Sequence, residues 1–294
     1  CHLLGKTDMP IASGSTEPCA PHAGFPEDFR TMIDKAMGPI PFERNPKPNF
    51  KPDAVELMRE VLEKSSDQVT IIATGPLTNV ANLLQKYPNI KGKIANVAIM
   101  GGAVRVPGNI KALDAASTND VAEWNIYVDP KAADIVFNAG VPVTLVPLDA
   151  TNQVPFTKAF YERLSLQQQP ALQVIYQLIK AIVDQYGDET FNIYYLWDAL
   201  AAMIALDKNL AKLEQLSIRI DLQSGQTCLD PTGKANIAVA TEINEPEKVL
   251  DKLLDLLKVG LLRARLQVGL PLTTLPPQAA VGAPEPAPLR CQLL

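Results

Sequence analysis

Short β-branched runs alternating with amphipathic helices constrain this 294-residue chain more than any other feature. Val69 to Ala73, Ile94 to Met100 and Val141 to Val146 are apolar and set off by Gly or Pro, the pattern of strands buried on both faces. Helical patterns fall between them. Asp53 caps a helix whose apolar face is Val55, Leu57, Met58, Val61 and Leu62. Leu77 to Gln85 reads as the next helix, and Asp129-Pro130 starts one that runs through Asn138. This alternation predicts an α/β fold, a mostly parallel open sheet with a Rossmann-like core flanked by helices. Strands at 69–73, 94–100 and 142–146 should lie side by side, because right-handed crossovers permit few other layouts.

Downstream, helices are expected over Lys158–Leu166, Pro170–Tyr186 and Trp197–Leu206, strands over Leu216–Leu222 and Ile237–Ala240, and a closing helix over Pro246–Lys258. Residues 1–52 read mostly as loop, with a helix end at His2–Gly5 and a short strand at Met9–Ala12. From Gly260 the chain turns Leu-rich and then Pro-rich, with Pro271, Pro276, Pro277, Pro284, Pro286 and Pro288. Such a stretch sustains neither a helix nor an inner strand. The expected division is a domain over 1–259 and a poorly ordered tail over 260–294.

Composition narrows the function classes. A net charge of −5 leaves no electrostatic footprint for nucleic acid or an anionic membrane. No run approaches the ~20 apolar residues of a membrane span. Cys1, Cys19, Cys228 and Cys291 are scattered, and two histidines, His2 and His22, are too few for a zinc site. Reduced thiols favour a cytoplasmic setting.

Chemistry concentrates in Ala122-Glu-Trp-Asn-Ile-Tyr-Val-Asp-Pro130. Read as an extended run, Glu123 and Asn125 point to one side, as strand side chains two apart do. An acid and an amide so placed grip neighbouring hydroxyl groups. Leu196-Trp-Asp-Ala-Leu200 adds an aromatic and a carboxylate at the start of an apolar helix. Each motif also has a plainer reading. Thr74-Gly-Pro76 and Met100-Gly-Gly102 are ordinary turns, Asp198 an ordinary helix-start acid, and Trp124 and Trp197 ordinary packing residues. Their shared position after successive strands favours function, since α/β sheets bind ligands beyond the carboxyl ends of their strands.

Ala73-Thr-Gly-Pro-Leu-Thr-Asn79, Ile99-Met-Gly-Gly102, Ala122 to Ala133 and Leu196 to Leu200, in this order, resemble the nucleoside hydrolases, calcium-dependent enzymes that cleave the N-glycosidic bond of ribonucleosides. Pro147-Leu-Asp-Ala-Thr151 is a fifth, weaker match, and the resemblance runs over roughly residues 3–258. It implies that Asp198 offers a carboxylate and Thr74 a backbone carbonyl to Ca2+. It also implies that Asn109, Glu123 and Asn125 hold the ribose hydroxyls while Met100 lines the sugar pocket. Trp197 stands where the pyrimidine-tolerant branch carries an acid-supplying His. With Trp124 this resembles the purine-preferring branch, for inosine, adenosine and guanosine. Phe29 is placed as the second face of a purine sandwich, where the family commonly has Trp.

The chain departs from the family at both ends. Nothing in residues 1–52 matches the DxDxxxDD loop that completes the metal cage and supplies the water-activating base. The first strands are therefore expected to be missing, and with them the centre of the sheet, so no catalytic residue is assigned. Three readings compete: an enzyme of purine nucleoside hydrolysis represented by a partial chain, a shortened non-catalytic binder of ribose or nucleosides, and an unrelated α/β small-molecule binder. The expected partner is a small-molecule nucleoside, not nucleic acid or membrane, and a homo-oligomer is left open.

Overall fold

The computed structural model describes residues 4–31, 40, 45 and 47–267, with backbone alone for Leu113 and residues 259–267. At its centre lies a five-stranded sheet in the order β3(Val69–Ala73), β4(Ile94–Met100), β5(Val143–Val146), β9(Ile237–Ile243), β6(Ala211–Leu216). β3, β4, β5 and β9 run parallel, and β6 is antiparallel to β9. The expected α/β architecture is the one observed.

These five strands form one unbroken sheet with β3 and β6 at its edges. β4 and β5 lie inside it with neighbours on both edges, which is why they are continuous apolar runs: Val97, Ile99, Leu145 and Val146 are fully buried. Two small sheets stand apart: parallel β1(Pro10–Ala12) with β2(Asn49–Lys51), and the antiparallel hairpin β7(Ile218–Ile220) with β8(Thr227–Leu229).

Helices cover both faces and pack over the two larger of three hydrophobic clusters. Ala54–Lys64, Thr78–Lys86 and Pro130–Phe137 pack over one cluster that includes Leu62, Leu83 and Val136. Lys158–Ser165, Pro170–Tyr186, Asp198–Leu206 and Pro246–Gln267 serve the other, built on Leu164, Leu172, Leu200 and Leu254. Asp53 caps its helix as expected, its Oδ1 accepting from Val55 and Glu56 amides at 2.8 and 3.1 Å.

Three local expectations are corrected. The run Leu216–Leu222 is split at Ser217 between β6 and β7. The closing helix passes Lys258 and Gly260 to Gln267, because Leu261 to Gln267 contains helix formers and the first proline comes only at Pro271. Trp124–Val128, expected extended, is a short helix. The end expected at His2–Gly5 falls partly outside the described residues, and the tail from residue 268 falls wholly outside them.

Candidate functional site

The site is assembled where β4 leaves the sheet. Gly102 turns the chain with φ +83°, a conformation cheap only for glycine. Its amide then donates to Glu123 Oε2 at 2.9 Å. Glu123 is the N-cap of Trp124–Val128, and the same oxygen accepts from the Asn125 and Ile126 amides at 3.0 and 3.3 Å. The acid and the amide thus do share a site, but a helix start brings them there. Tyr127 and Val128 favour strands locally; capping by Glu123 and the stop at Asp129-Pro130 overrule them.

Asn125 Nδ2 donates to the Met100 carbonyl at 3.2 Å and touches Met100 Sδ at 3.3 Å. Asn109 Oδ1 accepts from the Trp124 amide at 3.1 Å. Gly108, just before it, passes so close to residue 122 that an added Cβ would lie 2.0 Å from the Ala122 carbonyl oxygen. Met100, Asn109, Glu123 and Asn125 therefore form one hydrogen-bonded group. Ala73 pairs with Ile99, which sets Thr74 beside Met100 at the next strand end.

Asp198 opens the helix Asp198–Leu206, which packs against β3, β4 and β5. Burial raises its carboxyl from the usual range to about 6. Glu123 is only 2% exposed. Desolvation lifts it from 4.5 to about 7 against the pull of its three amide bonds, and the Asp198 charge lifts it further. The two carboxylates are thus close enough to influence each other.

Among the described residues Glu123 Oε1, Asn125 Oδ1 and Asn109 Nδ2 have no protein partner, while the other polar atom of each side chain is bonded. Two free acceptors and one free donor on a rigid frame suit the vicinal hydroxyls of a sugar.

The aromatic residues fall into two groups. Trp124 stacks on Phe25, with centroids 5.3 Å apart and planes at 27°, and meets Tyr127 edge-on. Phe29, the residue singled out from sequence, lies one ring further out, against Phe25 at 5.9 Å. Phe25 belongs to the same hexapeptide, Phe25-Pro-Glu-Asp-Phe-Arg30. Trp197 packs instead with Tyr194 and Tyr195 in a different hydrophobic cluster, and no ring contact joins it to Trp124. Both indole Nε1 atoms are buried without a hydrogen-bond partner.

Calcium fits these residues poorly. It takes 6–8 oxygen ligands. Asp198 and the Thr74 carbonyl are the donors implied for it, Glu123 Oε2 is already committed to amides, and no group of three or more His, Cys, Asp or Glu suited to a metal occurs among the described residues. No helix among the described residues is long and apolar enough to cross a membrane.

Comparison with known proteins agrees on one family. The family model described as inosine-uridine preferring nucleoside hydrolase matches residues 1–249. The pyrimidine-specific ribonucleoside hydrolase RihA of Escherichia coli O1:K1 / APEC is 37% identical over 197 residues, 65% of this chain and 58% of that protein. The chain thus spans less than two thirds of such curated relatives. A purine-preferring ribonucleoside hydrolase from Gardnerella vaginalis shares the fold with TM-score 0.72 at 24% identity, covering 90% of this chain and 83% of that one. An inosine-uridine preferring nucleoside hydrolase from Bacillus anthracis aligns with TM-score 0.66 at 26% identity, covering 86% and 81%.

Proposed function

The chain belongs to the inosine-uridine preferring nucleoside hydrolase family, and on that premise we propose that its site holds the ribose of a purine ribonucleoside for cleavage of the N-glycosidic bond. The observation that carries this is the trio of free polar atoms on Glu123, Asn125 and Asn109, fixed around the end of β4 with Asp198 nearby. Glu123 Oε1 accepts a ribose hydroxyl, Asn125 Oδ1 accepts another, and Asn109 Nδ2 donates to a hydroxyl oxygen. Cleavage builds positive, oxocarbenium-like charge on the sugar. Carboxylates held in a desolvated site stabilise that charge where it develops.

Purine preference rests on Trp124 with Phe25, and on Trp197 in place of an acid-supplying histidine. The name of the RihA relatives weighs the other way, so the choice of base is a matter for assay.

The metal mismatch favours a second reading, a binder of ribose or nucleosides without catalysis. One orphan carboxylate compensates poorly for desolvating a divalent ion, and no water-activating base is placed among the described residues. The experiment uses residues 1–294 with millimolar calcium. Inosine should bind on either reading; ribose is released on the first and not on the second. Failure to bind inosine overturns the proposal. Calcium-dependent ribose release that disappears in Asp198→Ala overturns the second reading.

A further inference from the structure

No sequence motif points to the hairpin of β7 and β8, yet its tip touches every segment that holds Glu123. The turn is stiff in itself. Asp221 Oδ1 accepts from the Gln223 and Ser224 amides at 3.2 and 2.8 Å and from Ser224 Oγ at 2.8 Å. The Asp221 amide donates to the Gln226 carbonyl at 2.9 Å, and Gly225 closes the turn with φ +73°.

Besides His22 Nε2, 3.3 Å from the Gln223 carbonyl, four contacts reach from this turn to the segments around Glu123. Gln226 forms an isolated antiparallel bridge with Ala122, the residue before Glu123. Asn119 Nδ2 donates to the Ser224 carbonyl at 2.7 Å, while Asn119 Oδ1 accepts from the Val121 and Ala122 amides at 3.1 and 3.0 Å. Gly225 presses on the helix that Glu123 caps, where an added Cβ would lie 2.9 Å from Tyr127 Cα. Thr227, 1% exposed, fills the space that a side chain on Gly102 would need, with its Oγ1 2.7 Å from the ideal Cβ position. Gly102 and Glu123 belong to separate loops, and the hairpin is wedged against both.

We propose that the turn 221–227 is a rigid buttress that sets the position of Glu123 and Asn125, with Asn119 and Gly225 as positioning residues. Glu123 is buried against its own desolvation, so three amide bonds must hold it in register, and those amides sit on the Gly102 turn and the short helix that the hairpin clamps. Asn119 is the coupling: one end of its amide fixes the chain entering Glu123, the other grips the turn. The proposal rests on the reading of Glu123 and Asn125 as ribose-holding groups.

The test is made in the full 294-residue chain with Asn119→Asp, which keeps Oδ1 but sets an acceptor against the Ser224 carbonyl, and with Gly225→Ala. Hydrogen exchange over residues 122–128 should accelerate at least tenfold in both variants, while peptides from β4 and β5 stay protected. Inosine should bind at least tenfold more weakly. In the Glu123→Gln background, adding Asn119→Asp should weaken inosine less than threefold further, because Asn119 acts through Glu123. Unchanged exchange over 122–128 in both variants overturns the buttress. Fully additive losses of affinity overturn its action through Glu123. A wild-type chain that ignores inosine, with exchange still responding, overturns the ribose reading and leaves the buttress standing.

Discussion

Replacing Glu123 by Gln should make the protein more stable above neutral pH and worse at holding its ligand. Burial raises the Glu123 carboxyl from 4.5 to about 7. A carboxyl raised in the folded state binds its proton more tightly there than in the unfolded chain. Its contribution to stability is complete below pH 4.5 and is lost as pH climbs through 7. At about 1.4 kcal/mol per pH unit, the loss across that window is about 3 kcal/mol. The substituted glutamine carries no charge, and its amide oxygen can take the three N–H donors that Oε2 now takes. The gap between variant and wild type should therefore widen by about 3 kcal/mol from pH 4.5 to pH 8, or roughly 5–10 °C in Tm for a domain of this size. Asp198 titrates in both proteins and largely cancels from the comparison. Urea unfolding at half-unit pH steps reads the gap directly, and calorimetric titration with inosine reads the other half. The lost charged hydrogen bond should cost about 1.5 kcal/mol of binding or more, tenfold in Kd. Parallel stability curves between pH 4.5 and 8 would refute the desolvation argument.

Other perturbations follow from single contacts. Asp129 is fully buried and accepts from Thr78 Oγ1 at 2.6 Å, the Cys19 amide at 2.8 Å and the Ala132 amide at 2.9 Å. Asp129→Ala strands all three donors and should cost about 3 kcal/mol or more in urea unfolding; a loss under about 1 kcal/mol would show that they find other partners. Gly102→Ala adds about 1–2 kcal/mol of left-handed strain to the clash with Thr227. Its Tm should fall and recover in part when Thr227→Ala is added, whereas no recovery would place the clash elsewhere. Inosine should bind at least tenfold more tightly than uridine, and Trp197→Ala should narrow that ratio; equal affinities would remove the case for purines.

The sheet was legible because its strands are short β-branched runs set between Gly and Pro. Val69–Ala73 and Ile94–Met100 fall where the pattern puts them, as does the long helix Pro170–Tyr186. The geometry of Glu123 was not legible. Ile126, Tyr127 and Val128 carry strand propensity, and a five-residue helix is too short to show a period. A signal did exist, in the cap at Glu123 and the Asp129-Pro130 stop beyond it. Phe25, not Phe29, is the ring stacked on Trp124, and spacing within a loop reveals nothing about which ring turns inward. The hairpin tip left even less trace: Asp221-Leu-Gln-Ser-Gly225 announces a turn, but what a turn presses against is set by tertiary packing.

The last parallel strand occupies an inner place in the sheet, and this bears on how the chain is made. During synthesis β3, β4 and β5 leave the ribosome early and can pair in order. β5 then waits with an open, apolar edge for β9, about 90 residues and roughly 5–20 s of translation away. β6 emerges first but has no strand to join, because its one neighbour in the sheet is β9. The growing chain thus carries an unprotected half-sheet through the roughly 90 residues between β5 and β9, and chaperone demand should peak between the completion of β5 and the arrival of residues 237–243.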